Sequence, residues 1–374
     1  MDKTCHVCVV APVHKFDDVR IYTKEISTLL SLGFNVTYYA RNPKNETIDL
    51  DINFVEVPTF RKRASRFINL FKLFFKVLSI KADVYHIHNP DTLPIGFLLK
   101  MFGKKVIYDT HEDFSKRLLM REWIPSPIRK IAASSISQME KLAGKVFNAV
   151  IVTQTNVKKR IGKKAIIIEN APVSKNMKSI RAIPSQEGFR VIYVGSTLSK
   201  TRGIKEMVDA VHLANEMEKG SNITFTLVGS FDNEDYYKAL TKSDGWKWIE
   251  YKGFLPQKNA FELMAQSHIG LITILDVGDH SQTSPNKIFE YQMFGLPFIA
   301  SDFESWRNKL ENTKSGFFVN PANPEEIASY IVQLYKDRNM VKEMGQNGRE
   351  YIQHTFNWEI ESEKIKQLYK RLLN

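Results

Sequence analysis

Short apolar runs alternate with longer amphipathic ones along the whole chain, in the order strand, helix, strand, helix, and this alternation leaves few folds open. A strand followed by a helix and another strand returns to a parallel neighbour, and buried parallel strands read as near-continuous apolar runs. In the first half His6 to Pro12, Asn35 to Ala40, Asp83 to His88 and Lys105 to His111 read as such strands, with a helix from about Val19 to Leu32 closed by Gly33. The second half repeats the pattern with Arg190 to Gly195, Ile223 to Gly229, Ser267 to Leu275 and Pro297 to Ser301. The expected class is α/β, and 374 residues exceed what one core usually holds, so two parallel-sheet domains are expected.

The charge divides the chain in the same way. Residues 1 to 181 carry 31 Lys+Arg against 16 Asp+Glu, or +15, whereas 182 to 374 carry 22 against 25, or −3. Two domains with different partners are implied. The polar stretch from Ser174 to Gly188 reads as the hinge between them. Cys5 and Cys8 are the only cysteines, a usage that fits a reducing cytoplasm better than a disulfide framework or a metal site. Met1 to Val13 has the shape of a strand and not of a secretory signal, and no run is long and apolar enough to span a bilayer.

The basic excess concentrates in residues 60–82, with seven Lys+Arg and no acid. Phe67, Phe71, Phe74, Phe75 and Leu78 recur at helical spacing, opposite Lys62, Arg66, Asn69, Lys72 and Lys76. The stretch reads as a basic amphipathic helix, which either packs its Phe face on a sheet or attracts anionic lipid; the two can coexist. Zinc-finger spacing and basic-aromatic repeats are lacking, so nucleic acid is not an expected partner.

Ligands of open α/β sheets bind beyond the carboxyl ends of the strands. His88, Asn89, Asp91, Asp109, His111 and Glu112 fall there, and with His86 they form too dense a polar set for a purely structural role. The first strand-to-helix loop, Val13 to Arg20, has no glycine, which excludes a dinucleotide fingerprint of the Rossmann type. Asp18 is read there equally as a helix cap or as a ligand contact.

In the second half a helix is expected to start at Ser284 as N-cap with Pro285 in its first turn, and to end at Gly295 before Pro297. Lys287 then sits in the first turn, where a cation opposes the helix dipole unless an anion compensates it. Glu290 lies among Ile288, Phe289, Tyr291 and Met293 and needs a partner, either Lys287 at helical spacing or a ligand. The loop from Gly195 through Ser196 to Gly203 places Arg202 at the start of another helix, where a cation suits a diphosphate.

These segments together resemble glycosyltransferase family four. SPNKIFEYQMFGLPFIASD is similar to its donor-site signature, HKFDDVRIYTKEISTLLSLGFNVT to the opening loop and helix of a bacterial polysaccharide-type branch, DVYHIHNPDTLPIG with KKVIYDTHED to its central strands, and VGSTLSKTRGIKEMVDA to its phosphate-side loop. The tail through Asn357-Trp358-Glu359 resembles the terminal helices, so the resemblance spans nearly the whole chain.

The resemblance implies a GT-B fold of two facing Rossmann-like domains: an acceptor domain at 1–180, a donor domain at 188–353 and a helix at 354–374 returning to the first. It implies a retaining transferase that needs no metal and moves a sugar from a UDP- or GDP-sugar to a hydroxyl of a saccharide or lipid-linked saccharide, in surface polysaccharide synthesis at the inner membrane face. On this chain Glu290 takes the ribose position, Arg202 and Lys287 hold the diphosphate with amides near Ser284 and Asn286, and His111 faces the donor sugar. Gly195 lines the phosphate side, and Arg20 in the Asp-Asp-Val-Arg loop is an extra donor contact. His88, Asn89, Asp91 and Glu112 fall on the acceptor side. Two positions depart from the family: Gln282 stands where a first glutamate is usual, and Ser196 where an arginine is common. A GT-B epimerase or a non-catalytic GT-B scaffold are the alternatives.

Overall fold

The computed structural model describes residues 5–42, 47–58, 72–121, 123–174 and 188–374. The chain divides into two compact units, one of residues 1–170 with 359–374 and one of residues 171–358. The divisions thus fall at Asn170 and Trp358, not at 180 and 353. Most of the expected hinge, residues 175–187, lies outside the described residues, as do residues 60–71 of the basic stretch.

The first unit holds a parallel sheet of seven strands: β1 (His6–Lys15), β2 (Asn35–Arg41), β3 (Asn53–Glu56), β4 (Val84–His88), β5 (Lys105–Thr110), β6 (Ala149–Val152) and β7 (Ala165–Ile167), in the order β3-β2-β1-β4-β5-β6-β7. The chain steps outward in one direction from β1 and in the other from β4, so a crevice opens between their carboxyl ends. Cys8 and Val10 of β1, Tyr85 and Ile87 of β4 and Val150 of β6 form one apolar face, covered by Leu93, Leu99, Ala143 and Phe147 from the following helices. Cys8 is buried and Cys5 half-buried, both free. Residues 72–79 are helical and bury Leu73, Phe74 and Val77, whereas Phe75 is exposed beside Lys72 and Lys76. The expected opposition of phenylalanines to lysines therefore fails at Phe75, because the apolar stripe follows i, i+1, i+4 from Leu73.

The second unit holds β8 (Phe189–Leu198), β9 (Ile223–Phe231), β10 (Ile249–Gly253), β11 (Ile269–Ile272), β12 (Phe298–Ser301) and β13 (Gly316–Val319), all parallel, in the order β10-β9-β8-β11-β12-β13. Its switch point lies between β8 and β11. β8 and β9 do not stop at their glycines, contrary to the sequence reading. Gly229, at φ +145°, comes so close to β8 that a Cβ there would stand 2.5 Å from the Gly195 carbonyl oxygen. Glycine thus permits the pairing to continue, past a register shift between Val194 and Thr197, to Leu198 and Phe231.

The last helix, Trp358–Leu373, belongs to the first unit. Tyr369 is fully buried there, and its hydroxyl lies 2.9 Å from His86 Nδ1.

Candidate functional site

At the crevice of the first unit, β1 leads through His14 into Asp18, whose carboxylate accepts from the amides of Arg20 at 3.0 Å and Ile21 at 3.1 Å. Asp18 is therefore a helix cap. It also lies 2.8 Å from His14 Nδ1, which makes that nitrogen the protonated one and leaves Nε2 to accept from the Asn89 amide at 2.7 Å. This bond ties the end of β1 to the end of β4. Burial opposes ionisation of Asp18, yet the hydrogen bond from His14 and those from the backbone bring it down to about 2. Asn89 is buried at φ +68°, a conformation that disfavours side chains other than glycine and is kept where the surroundings impose it.

The helix that Asp18 caps is π-helical over Val19–Ile26 before it becomes α-helical over Ser27–Ser31. Its wider turn brings positions five apart together, and Arg20 Nε lies 2.9 Å from Glu25 Oε1. Arg20 Nη2 reaches Asp109 Oδ2 at 3.1 Å and the Ile168 carbonyl at 3.3 Å. Arg20 is 5% exposed, so the guanidinium expected on the donor is committed inside the unit.

Around this ion pair stand three imidazoles. His86 and His88 stack at 4.6 Å between centroids, and His88 and His111 at 5.3 Å. His88 Nε2 is 3.5 Å from Glu25 Oε2, and His111 Nδ1 is 3.1 Å from Asp109 Oδ1. His88 is fully buried, so it braces the cluster and does not meet an acceptor, as the sequence reading had it. His111 keeps 14% of its side chain exposed.

Burial raises the Glu25 carboxyl, and the Asp109 charge raises it further. Asp109 is held well below the usual carboxylate range, against burial, by Arg20 and His111. Burial and the His86 ring push His88 well down, and burial lowers His111. The surroundings thus favour a charged Asp109 against the Arg20 guanidinium, the neutral form of Glu25, and the neutral forms of His88 and His111, with His111 Nδ1 beside Asp109.

Glu25, His86, His88 and Asp109 offer donor atoms within 4.8 Å of one another, close enough for a metal ion. Both carboxylates, however, already lie against the Arg20 guanidinium, and a second cation would share them with it. The set fits an ion-pair network better than a metal centre.

On the acceptor side, Glu112 pairs with Arg117 and Asp91 is half-buried in the turn Pro90–Thr92. The sequence reading missed Glu25 and Tyr369. Neither carries a motif; only the spacing of five between Arg20 and Glu25 hinted at a π-turn.

In the second unit Gly195 and Ser196 lie in the irregular stretch of β8, with Ser196 exposed. The turn Lys200–Arg202 follows, then Gly203 at φ +67°, then the helix Ile204–Met217. The Leu275 amide donates to the Thr201 carbonyl at 3.1 Å, which pins this turn beside the end of β11. Arg202 is half-buried and makes no ion pair with another described residue.

The helix expected from Ser284 spans Asn286–Phe294, one turn position later, with Pro285 at the cap and Gly295 at φ +73° closing it. Ser284 does not cap: its Oγ, like Asn286 Oδ1, is buried without a hydrogen-bond partner among the described residues. Lys287 Nζ donates to Glu290 Oε2 at 2.7 Å, so the ion pair, the less favoured alternative once the resemblance was considered, is present in the ligand-free chain. Gln282 is exposed at the end of the turn His280–Gln282. Arg202, Lys287 and the two unpartnered oxygens thus sit on the connections that leave β8 and β11, the strands flanking the switch point.

Residues 188–337 match the family model of group 1 glycosyl transferases. An uncharacterised glycosyltransferase of Methanocaldococcus jannaschii is 22% identical over 82% of this chain and 78% of its own length. A phosphatidyl-myo-inositol mannosyltransferase of Mycobacterium leprae is 22% identical over 77% of this chain and 73% of its own length. Among solved structures, the Anabaena protein HepE, in complex with UDP and glucose, superposes with a TM-score of 0.70 at 15% identity, covering 97% of this chain and 99% of its own. The fold is GT-B.

Proposed function

We propose, from the match of residues 188–337 to group 1 glycosyl transferases, that the chain is a glycosyltransferase that moves a sugar from a nucleoside-diphosphate donor to a hydroxyl acceptor with retention and without a metal. The observation that carries the donor reading is the pairing of an unneutralised Arg202 with the Lys287–Glu290 pair on the two connections that leave the switch point. As the anomeric C–O bond breaks, negative charge grows on the leaving diphosphate. Arg202, Lys287 and the amides at the start of the helix Asn286–Phe294 then stabilise the transition state more than the ground state. Glu290, released from Lys287 by the diphosphate, takes the ribose hydroxyls. The unpartnered oxygens of Ser284 and Asn286, with Gln282, Gly195 and Ser196, are assigned to the donor as well.

His111, oriented by Asp109, is assigned to the transferred sugar, where a neutral imidazole donates or accepts without adding charge. UDP is the first nucleotide to try, because HepE was solved in complex with UDP and glucose. A lipid-linked or saccharide acceptor, with a role in surface polysaccharide synthesis at an anionic membrane surface, is the reading favoured by the mannosyltransferase relative and the basic first half.

Thermal unfolding with UDP, GDP and their sugars tests the donor assignment. A rise in Tm with one nucleotide, absent in Arg202→Met, is expected. No rise with any nucleotide would sink it. Turnover that persists in EDTA is expected of a metal-free transfer.

A further inference from the structure

The last helix brings a polar group into the core of the first unit. Tyr369 is fully buried, its ring lies 5.8 Å from that of Phe34, and its hydroxyl stands 2.9 Å from His86 Nδ1. The helix is fastened on both sides of this residue: Glu361 accepts from the Glu169 amide at 2.9 Å, and Lys105 Nζ donates to the Leu372 carbonyl at 2.5 Å. Burial holds the Tyr369 phenol well above its ordinary range, so the hydroxyl keeps its proton and remains a donor.

His86 begins a column of rings that ends at His111. The planes of His86 and His88 are inclined by 20° and those of His88 and His111 by 28°, while His14 meets His111 edge-on at 5.5 Å. His86 and His88 are buried, so His111 is the ring of this column that keeps exposed surface. Asp109 runs beside the column: Oδ1 is 3.1 Å from His111 Nδ1 and Oδ2 is 3.8 Å from His86 Nε2. The second distance is too long for a full hydrogen bond, but short enough for the carboxylate charge to act on His86. A lone pair on Nε2 would face that charge and be repelled, whereas a proton there is attracted. His86 with its proton on Nε2 offers a lone pair at Nδ1, and the Tyr369 hydroxyl lies on that side. Hydroxyl and carboxylate therefore select the same form of the ring from its two ends.

We propose that Tyr369 is a positioning residue for His111: its hydroxyl donates to His86 Nδ1, turns the N–H at Nε2 toward Asp109, and so fixes the carboxylate and the ring column against which His111 is set. Tyr369 does not meet a ligand; it acts through the histidines. Its effect on turnover rests on the assignment of His111 to the transferred sugar, whereas its hold on the His111 ring does not.

Nitrogen-15 spectra of the histidine rings in the full chain, assigned with His86→Gln and His111→Gln, test the geometry without turnover. In wild type His86 carries its proton on Nε2. Tyr369→Phe keeps the ring and removes only the hydroxyl; it shifts His86 Nδ1 and, through the column, the ring nitrogens of His111. Tyr39→Phe removes another buried hydroxyl, which donates to the Lys76 carbonyl, and shifts neither histidine. Release of UDP from UDP-glucose is measured alongside. Tyr369→Phe lowers kcat about tenfold with KM within about twofold, whereas Tyr39→Phe keeps the wild-type rate. In a His111→Gln background Tyr369→Phe lowers kcat no further, because it acts through that ring. A His86 proton on Nδ1 in wild type overturns the proposal, as do His111 resonances unmoved by Tyr369→Phe, or a wild-type kcat in Tyr369→Phe where His111→Gln is impaired. If His111→Gln itself releases UDP at the wild-type rate, or wild type releases none, the sugar or donor assignment falls instead, and the spectra alone decide the place of Tyr369.

Discussion

Lys287 and Glu290 satisfy one another across one turn at 2.7 Å, with their side chains 32% and 18% exposed. A partly exposed pair at i, i+3 contributes on the order of 0.5 kcal/mol or less to stability. Under the proposed function the pair acts as a gate, its charges holding each other until a diphosphate takes the lysine and a ribose the glutamate. Glu290→Ala and Lys287→Ala are each expected to unfold within about 2 °C of wild type and to lose the nucleotide-induced rise in Tm. Retention of that rise in both variants, measured by differential scanning fluorimetry, would remove them from the donor site.

Asp109 offers a sharper stability test. It is fully buried, faces Arg20 at 3.1 Å and His111 at 3.1 Å, and the structure keeps it ionised. Asp109→Asn leaves the Arg20 guanidinium with Glu25 alone, and breaking one side of such a buried pair costs about 3–5 kcal/mol. Urea unfolding measures it. A loss below about 1 kcal/mol would mean that Glu25 ionises to take over, contrary to its raised pKa.

How much of this was legible in the sequence differs between the sheets and the sites. The strands were readable because buried parallel strands are apolar on both faces, as Val7 to Ala11 and Val106 to Tyr108 are. Their ends were not: Gly195 and Gly229 signal a stop in one sequence but permit close strand approach in the fold. The Lys287–Glu290 spacing and the turn at Arg202 could be read locally. The Arg20 network could not, since Arg20, Glu25, Asp109 and Tyr369 come from distant segments and polar residues on a helix usually mean a solvated face. For the same reason Arg20 was assigned to a ligand and proved to be internal.

The pH dependence of stability should have two slopes. Burial, against the pull of Arg160, raises Glu140 from its ordinary 4.5 to about 7, so the folded state binds more protons than the unfolded between those values and stability falls as pH rises through that window. The shift of about 2.5 units sets an upper bound of about 3 kcal/mol. Asp18 acts in the opposite sense: lowered from 3.8 to about 2, it contributes stability above pH 3.8 that is lost as pH falls through 2. His88 and His111, held down by burial, and Glu25, held up, titrate in the same range, so the difference in urea midpoint between wild type and Glu140→Gln isolates Glu140 and should decline from pH 4.5 to 7.5. An unchanged slope in that variant would show that Glu140 is not the titrating group.

Gly203 fixes where Arg202 stands. At φ +67° it has a backbone that side chains rarely adopt, and a Cβ built there would overlap the Thr273 carbonyl oxygen. That carbonyl follows β11, and the neighbouring Leu275 amide already holds Thr201, so the turn cannot retreat without giving up its attachment to the switch point. Gly203→Ala therefore combines left-handed strain, on the order of 1–3 kcal/mol, with displacement of the turn. The expected result is a lower urea midpoint together with weakened nucleotide binding. Arg202→Met, by contrast, alters no backbone and should weaken nucleotide binding with little change in the midpoint. If Gly203→Ala lowered the midpoint but bound nucleotide with wild-type affinity, the position of Arg202 would not depend on this close approach, and the turn would be only a structural clasp.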